Sequence, residues 1–511
     1  MSVSAKLFLS FPIPHSSFLT PHSSFLTPHS PFPMRFLLLL LCLLTAVRQQ
    51  TQARTGEECA YTVIILSSGL DEHILRTMQQ VERQAPYPGI QVTWQYKLDH
   101  PRRGEEGIRR WALPAATSTD AQQSVTTHSP HRRTSHARIP SQQIASQHTA
   151  INDPALITSF IDWSVEHYPA RQYILVMSGH AVGWLPSSDV TGLRTPGALV
   201  DATLPPAPHH PSYIPGYGLS LSLHDQIQAL QSSQFMRQGG RFRLVLHDAC
   251  LMGRAEVMAD YAQVADYMIA TPEQILDEGT PYAELLRLLS QPAPLADEAH
   301  FQQAARTFVD YTTTHGWQAT ADELSTSCFS ASLFLCDLRQ FHRVTQVIRC
   351  IADELIAPTP GFEYAYLDAL PQVHTNALMY TDDLPRAAQI NSFDLYHLST
   401  LLAATGSPRM QALHDSLGSA LDACLYLRLA RPSATPVALS PRSQSPFAQV
   451  SLSLSLFAWG RYPDAAQLAC YRHTRLCQLT GLDRFFLVNS SLPVVGRTSF
   501  PFLTPPASTH K

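Results

Sequence analysis

The sequence predicts a mixed α/β fold, a mostly parallel sheet flanked by helices, with a smaller C-terminal subdomain. Three observations carry this expectation. A β-branched strand, an amphipathic helix and an alternating strand follow one another between 62 and 96. Two further apolar strands, in 173–180 and 242–253, each break off into a turn bearing reactive side chains, and helical segments separate these strands. The apolar fraction of 45% over 511 residues supports a sizeable core, and excludes both a largely disordered chain and a small disulfide-stapled one.

The chain opens on low complexity. PHSSFLT at 14–20 repeats at 21–27 and decays into PHSPFP at 28–33, a pattern with no apolar face to bury. Met34, Arg35 and the run FLLLLLCLLTAV follow, and then small residues at Thr51 and Ala53, which is the form of a secretory signal peptide over 34–53. Met34 is therefore the expected start and 1–33 a mis-assigned extension; the alternative is a true extension ahead of an anchoring helix. Leu41 stands before Cys42 where lipid attachment needs a small residue. No other apolar run approaches a membrane span, so the expected product is secreted or periplasmic, with no span left after signal removal.

A peptidase-sized domain is expected over 54–356. TVIIL (62–66) leads through SSGLDEH into HILRTMQQVERQ, with Ile74, Met78 and Val81 on one helical face, and IQVTWQY (90–96) reads as the next strand. The stretch 101–150, rich in Ser, Thr, Gln, His and Arg, reads as a disordered insertion. Asp153 and Pro154 then start a helix with an apolar stripe of Leu156, Phe160, Trp163 and Val165. YILVMSGH (173–180) is a buried strand ending in Ser-Gly-His, and a Pro-rich loop spans 185–217. After the helix LHDQIQALQS comes FRLVLHDACLMG (242–253), a strand delivering His247, Asp248 and Cys250; a helix with Val257, Met258 and Tyr261 and the short strand YMIATPEQ follow. The C-terminal part, 357–511, offers helices at 392–404 and 410–427, a Pro/Ser loop at 431–446 and a strand at 450–457.

A formal charge of −4, with 15% charged residues against about a quarter in ordinary proteins, gives no reason to expect nucleic acid or an anionic membrane surface as a partner. Only Lys6, Lys97 and Lys511 are lysines; every other basic side chain is arginine. The nine cysteines show no CxxC or Cys/His spacing, which argues against a zinc module and a thiol oxidoreductase. Seven of them besides Cys250 lie beyond the leader, an odd number from which no pairing follows.

The strand ends carry the chemistry. In an open parallel sheet ligands bind where the C-terminal ends of strands meet the following loops, and here one strand ends in His180 and the next in Cys250. A thiol beside an imidazole is the pairing that thiolate catalysis requires, and a helix starting after Cys250 would favour the thiolate and a developing oxyanion. A lone cysteine after an apolar strand also reads as a small buried residue, and a lone histidine as structural. The equivalent placement of the two brings the catalytic reading level with the bland one.

NDPALITSFIDWSVEHYPARQYILVMSGHAVGW and LVLHDACLMGRAEVMADYAQVADYMIATPE resemble the two signature regions of the clostripain family of cysteine peptidases, relatives of caspases and gingipains. SFDLYHLSTLLA (392–403), VSLSLSLF (450–457) and LTGLDRFFL (479–487) are similar to later phrases of that family. The resemblance implies a caspase-like fold and an endopeptidase acting on proteins or peptides, with Cys250 as nucleophile and His180 as acid/base. It implies an oxyanion hole from the main-chain N–H groups of Cys250 and Ala181, and puts Asp248 in the pocket for the residue before the cut, where a carboxylate favours Arg, or Lys. Ala181 departs from the usual glycine. Asp277 and Glu278, in the loop 271–282, offer a second pocket carboxylate or are solvated loop charges.

The resemblance requires no cofactor. It brings calcium as an option, without assigned ligands. It also implies clipping between the histidine and cysteine segments, and Arg194 is the single basic residue of the 185–217 loop; self-cleavage there would turn a monomer into a two-chain form. The competing expectation is an exported binding protein that keeps the fold without turnover.

Overall fold

The computed structural model describes residues 59–115 except 70, 139–184 except 182, 221–316 except 273–274, 276–278 and 293–296, and 332–366, 392–429 and 471–485; residues 369 and 468 and the short segments 187–189, 192–194, 213–214, 218–219 and 455–457 complete it. The extension 1–33 and signal peptide 34–53 lie outside the described residues. Nine strands form one sheet: β1 (Tyr61–Ser68), β2 (Ile90–Lys97), β3 (Ile108–Leu113), β4 (Ile139–Ala145), β5 (Gln172–Ser178), β6 (Phe242–Asp248), β7 (Ala265–Ala270), β8 (Ser332–Asp337) and β9 (Leu425–Leu429). Their order is β9-β8-β7-β6-β5-β1-β2-β3-β4.

The five central strands, β2, β1, β5, β6 and β7, run parallel, and antiparallel pairs close both flanks. β1 lies between β2 and β5, so the chain leaves β1 toward one flank and comes back to the other. That is a topological switch point, and it leaves a crevice over the C-terminal ends of β1 and β5. β1 reads as a continuous apolar run because it is buried on both faces.

Alternation along the central strands feeds two cores. Val63, Ile65, Ile174, Val176, Leu244 and Leu246 face α1 (Asp71–Gln84), α5 (Tyr282–Leu289) and α6 (Asp297–Tyr311). Ile64, Leu66, Leu175, Met177, Phe242 and Val245 face α2 (Pro154–His167), α3 (Leu223–Gln231) and α4 (Ala255–Tyr261). The helix starts are written locally. Asp71 and Glu72 put negative charge in the first turn of α1, and the Asp153 carboxylate accepts from Ala155 N–H at 2.8 Å ahead of Pro154 in α2.

Two expectations need correction. The stretch 101–150, expected to be disordered, supplies β3 and β4; Trp111 packs edge-on to Trp94 at 6.3 Å, and Arg109 donates to Ser141 across the pair. Residues 116–138 lie outside the described residues. β4 is the edge strand and polar in composition, and in β3 the pair Arg109 and Arg110 breaks the apolar run between Ile108 and Trp111. The second case is 410–427: α9 (Pro408–Cys424) ends at Cys424 and the chain turns directly into β9. The C-terminal part thus extends the main sheet, and its helices α8 (Leu395–Ala403), α9 and α10 (Arg475–Thr480) share a core with α4 and α7 (Phe341–Ile356). No helix among the described residues is long and apolar enough to cross a membrane.

His247, the residue before Asp248, turns to the α4 face, fully buried and edge-on to Tyr261 at 4.7 Å. Burial pushes its pKa down to about 3, so the fold holds it neutral. The unfolded chain protonates this imidazole first, near 6.5; stability is therefore full above 6.5 and falls as the pH drops toward 3. His247→Leu is expected to remove about 2 kcal/mol of the stability lost between pH 7 and pH 4.5, measured by urea unfolding at the two pH values. Equal losses in variant and wild type would show that His247 charges without penalty.

Candidate active site

β5 and β6 pair in parallel with Ser178 opposite Asp248, so the turns that follow them start side by side. The His180 turn is held from three directions. Gly179 has φ +141°, and a Cβ there would lie 2.5 Å from Ser68 O at the end of β1, so only glycine allows the turn to sit this close. Gly179 N–H donates to Asp248 O at 3.2 Å. Beyond the histidine, Gly183 packs against the Cys250 turn, with its missing Cβ position 3.0 Å from Leu251 O and 2.7 Å from Arg254 Cδ. His180 and Ala181 are thus strung between one contact to the residue two before Cys250 and one to the residue after it.

The Cys250 turn is compact and strained. Leu251, buried, has φ +62°, the one non-glycine positive φ among the described residues, and such a conformation costs on the order of 1 kcal/mol. The helix that follows Cys250 starts at Ala255, with Arg254 as its cap residue, so its amides do not begin at the thiol. An amide from another segment does reach it: Ile275 N–H donates to Cys250 Sγ at 3.3 Å. Cys250 is half-buried beneath this loop.

Asp248 ends β6 with its carboxylate on the α1 face, its side chain 1% exposed. Oδ2 accepts from His73 Nε2 at 2.9 Å, from Tyr282 Oη at 2.5 Å and more weakly from Ser178 Oγ at 3.4 Å; Oδ1 accepts from Thr280 N–H at 2.9 Å. Burial alone would raise its pKa, but His73, Tyr282 and Thr280 outweigh burial and hold it below the ordinary carboxylate value. Tyr282 moves the other way, well above its usual value, through burial and the neighbouring Asp248 charge, and remains a donor.

The structure therefore brings His180, Ala181, Asp248 and Cys250 to one end of the sheet. Ala181 is buried and is not at positive φ, so its Cβ brings no left-handed strain. Arg194 closes the strand Gly192–Arg194, opposite Ser187 of Ser187–Asp189. Asp277 and Glu278 lie outside the described residues. Among the described residues no group of three or more His, Cys, Asp or Glu side chains is placed to hold a metal ion.

Sequence reasoning missed His73, Thr280 and Tyr282 around Asp248, and Asp99 near His180. A Cβ on Gly69 would lie 3.5 Å from Asp99 Oδ2 and 3.8 Å from His180 Cδ2, so carboxylate and imidazole border the same space over β1. Asp71 fixes that corner by accepting from Asp99 and His100 N–H, each at 2.6 Å. Only the apolar-to-polar switch after IQVTWQY hints at Asp99.

The family profile described as the clostripain family, peptidase family C11, matches residues 220–405, a segment containing Asp248 and Cys250. No curated protein matches the chain. An inactive zymogen C11 protease from Parabacteroides distasonis superposes with a TM-score of 0.52 at 16% identity, covering 83% of this chain and 98% of that one. A secreted C11 cysteine protease from Bacteroides thetaiotaomicron, in complex with an irreversible peptide inhibitor, gives 0.53 at 15% identity, covering 83% and 99%. The chain shares their fold: a largely parallel sheet flanked by helices.

Two glycine substitutions separate strain from collision. Gly69→Ala meets only ordinary contacts and is expected to cost about 1 kcal/mol through its φ of +67°. Gly179→Ala drives a methyl into Ser68 O and is expected to cost more than about 2 kcal/mol and to slow alkylation of Cys250 by iodoacetamide. Urea midpoints and alkylation rates read both; a Gly179→Ala protein as stable as Gly69→Ala would refute the packed His180 turn.

Proposed function

We propose, from the match of residues 220–405 to the clostripain family of cysteine peptidases, that the chain cuts peptide bonds through Cys250 as nucleophile and His180 as acid and base. The observation that carries this is the mutual anchoring of the two turns, Gly179 N–H on Asp248 O at 3.2 Å and Gly183 against Leu251 O, at the ends of adjacent parallel strands.

The Cys250 thiolate attacks the scissile carbonyl carbon. The oxygen takes up negative charge and is met by the N–H groups of Cys250 and Ala181. His180 passes its proton to the leaving amine as the C–N bond breaks, leaving a thioester on Cys250. The neutral imidazole then takes a proton from water, whose oxygen attacks the thioester, and returns it to the sulfur as the acid departs. In the resting chain Ile275 N–H already occupies a donor position on Sγ. That contact stabilises a thiolate and lies across the approach to it, which suits an enzyme made as a precursor and exported by the leader at 34–53. Opening by a cut in the 185–217 loop would separate a His180 chain from a Cys250 chain.

Preference for Arg or Lys before the cut, and with it self-cleavage after Arg194, requires the substrate cation to reach Asp248. Its protein partners decide that question.

Cys250→Ala and His180→Ala are each expected to lower kcat/KM on a panel of fluorogenic peptides by at least about a thousand-fold with folding intact. A folded and clipped wild type that neither hydrolyses the panel nor is labelled at Cys250 by peptidyl electrophiles would favour a binding protein on the same fold. Wild type clipped in 185–217 beside an intact Cys250→Ala chain is expected from self-processing; clipping of both would assign the cut to another protease.

A further inference from the structure

The Asp248 carboxylate and the Cys250 sulfur are held by one loop. Ile275 N–H donates to Sγ, and Thr280 N–H, farther along the same segment, donates to Asp248 Oδ1. The carboxylate, its side chain 1% exposed, is thus held two residues from the nucleophile and behind the same segment.

That carboxylate is already spoken for. A guanidinium grips a carboxylate by two parallel N–H···O bonds, one to each oxygen. Oδ2 already takes His73, Tyr282 and Ser178, and Oδ1 takes Thr280. A carboxylate has about two lone-pair directions on each oxygen; Oδ2 is filled and Oδ1 keeps one at most, so the parallel two-bond grip of a guanidinium cannot form.

His73 is the member of this set that α1 contributes. It sits in the first turn of α1, 4% exposed on its side chain, with its other ring nitrogen within 3.4 Å of Thr77 Oγ1 and its ring edge-on to Tyr282 at 6.2 Å. The loop closes on it: a Cβ on Gly279 would fall 2.0 Å from His73 Cε1, and Gly279 has φ +65°, so any other residue there would push the imidazole away.

Resting on the peptidase reading above, we infer that His73 is a specificity-determining residue: it occupies the Asp248 carboxylate from within the fold, in the place of a substrate cation, so that the subsite selects uncharged side chains over Arg and Lys. A basic side chain enters only if His73 leaves, and its departure strips a buried carboxylate of a partner before the substrate can replace it. Among the groups that face His73 are Asp248 from β6, Thr77 on its own helix, Tyr282 from α5 and the Gly279 turn.

The test compares rates of Cys250 labelling by two peptidyl electrophiles that differ only in an arginyl or a leucyl residue at the reactive end, with the matching fluorogenic peptides as a second readout. In wild type the leucyl probe is expected to react at least ten-fold faster. His73→Ala is expected to shift the ratio at least ten-fold toward the arginyl probe, and His73→Gln, which keeps a donor on Asp248, to leave it within about two-fold of wild type. A role limited to stability would change both probes equally. Wild type reacting as fast with the arginyl probe overturns the inference and leaves the peptidase reading standing, whatever the fate of the variants. A folded His73→Ala protein with an unchanged ratio overturns it as well. Labelling of clipped, folded wild type by neither probe removes the peptidase reading and this inference with it.

Discussion

The Asp248 carboxylate is the point on which the site is assembled. Through it α1, β5, the loop after β7 and the start of α5 are joined to the end of β6. An ionised group without solvent is stable only if its partners are complete, so each of these segments has one position that satisfies it. The same residue's main-chain oxygen takes Gly179 N–H and thereby positions the histidine turn. One residue thus joins these segments and ties the two turns together, and the strain at Leu251 is tolerated because the surrounding contacts hold the turn in place.

Parallel pairing does the rest. In a parallel sheet all strand ends of one polarity lie on one side, so two catalytic groups on neighbouring strands need no long loop to meet. The switch point between β1 and β5 adds depth, because the chain after β1 moves away toward β2 and leaves Gly69 as the floor under His180. An added side chain at Gly69 would fill space that His180 and Asp99 share.

What the sequence made legible follows from this. β5 and β6 are buried on both faces and announce themselves as apolar runs, and their reactive ends, His180 and Cys250, stand out because polar residues follow such runs abruptly. The partners of Asp248 left no such mark. His73 reads as the polar face of an ordinary helix start, and its contact with Asp248 spans 175 positions, a separation that no local pattern encodes. β3, β4 and β9 were hidden for a different reason: Arg109 and Arg110 interrupt the apolar residues of β3, β4 is a polar edge strand, and β9 continues the apolar pattern of the helix before it.

The arginine-rich composition acquires a physical meaning at the subsite. A peptidase directed to arginine carries its own substrate in a chain whose basic residues are nearly all arginine. Folding answers part of this: Arg109 and Arg110 lie in β3, the first bonded to Ser141 and the second to Gln95 with its guanidinium over Phe160 and Trp163. It gives no protection to an arginine that a protease can reach in extended form. A subsite whose carboxylate is already taken by His73 answers the remainder, because the chemistry that would recognise those arginines is satisfied inside the protein before any substrate arrives. The selectivity of the enzyme and the survival of its own chain then rest on the same hydrogen bond, from His73 Nε2 to Asp248 Oδ2.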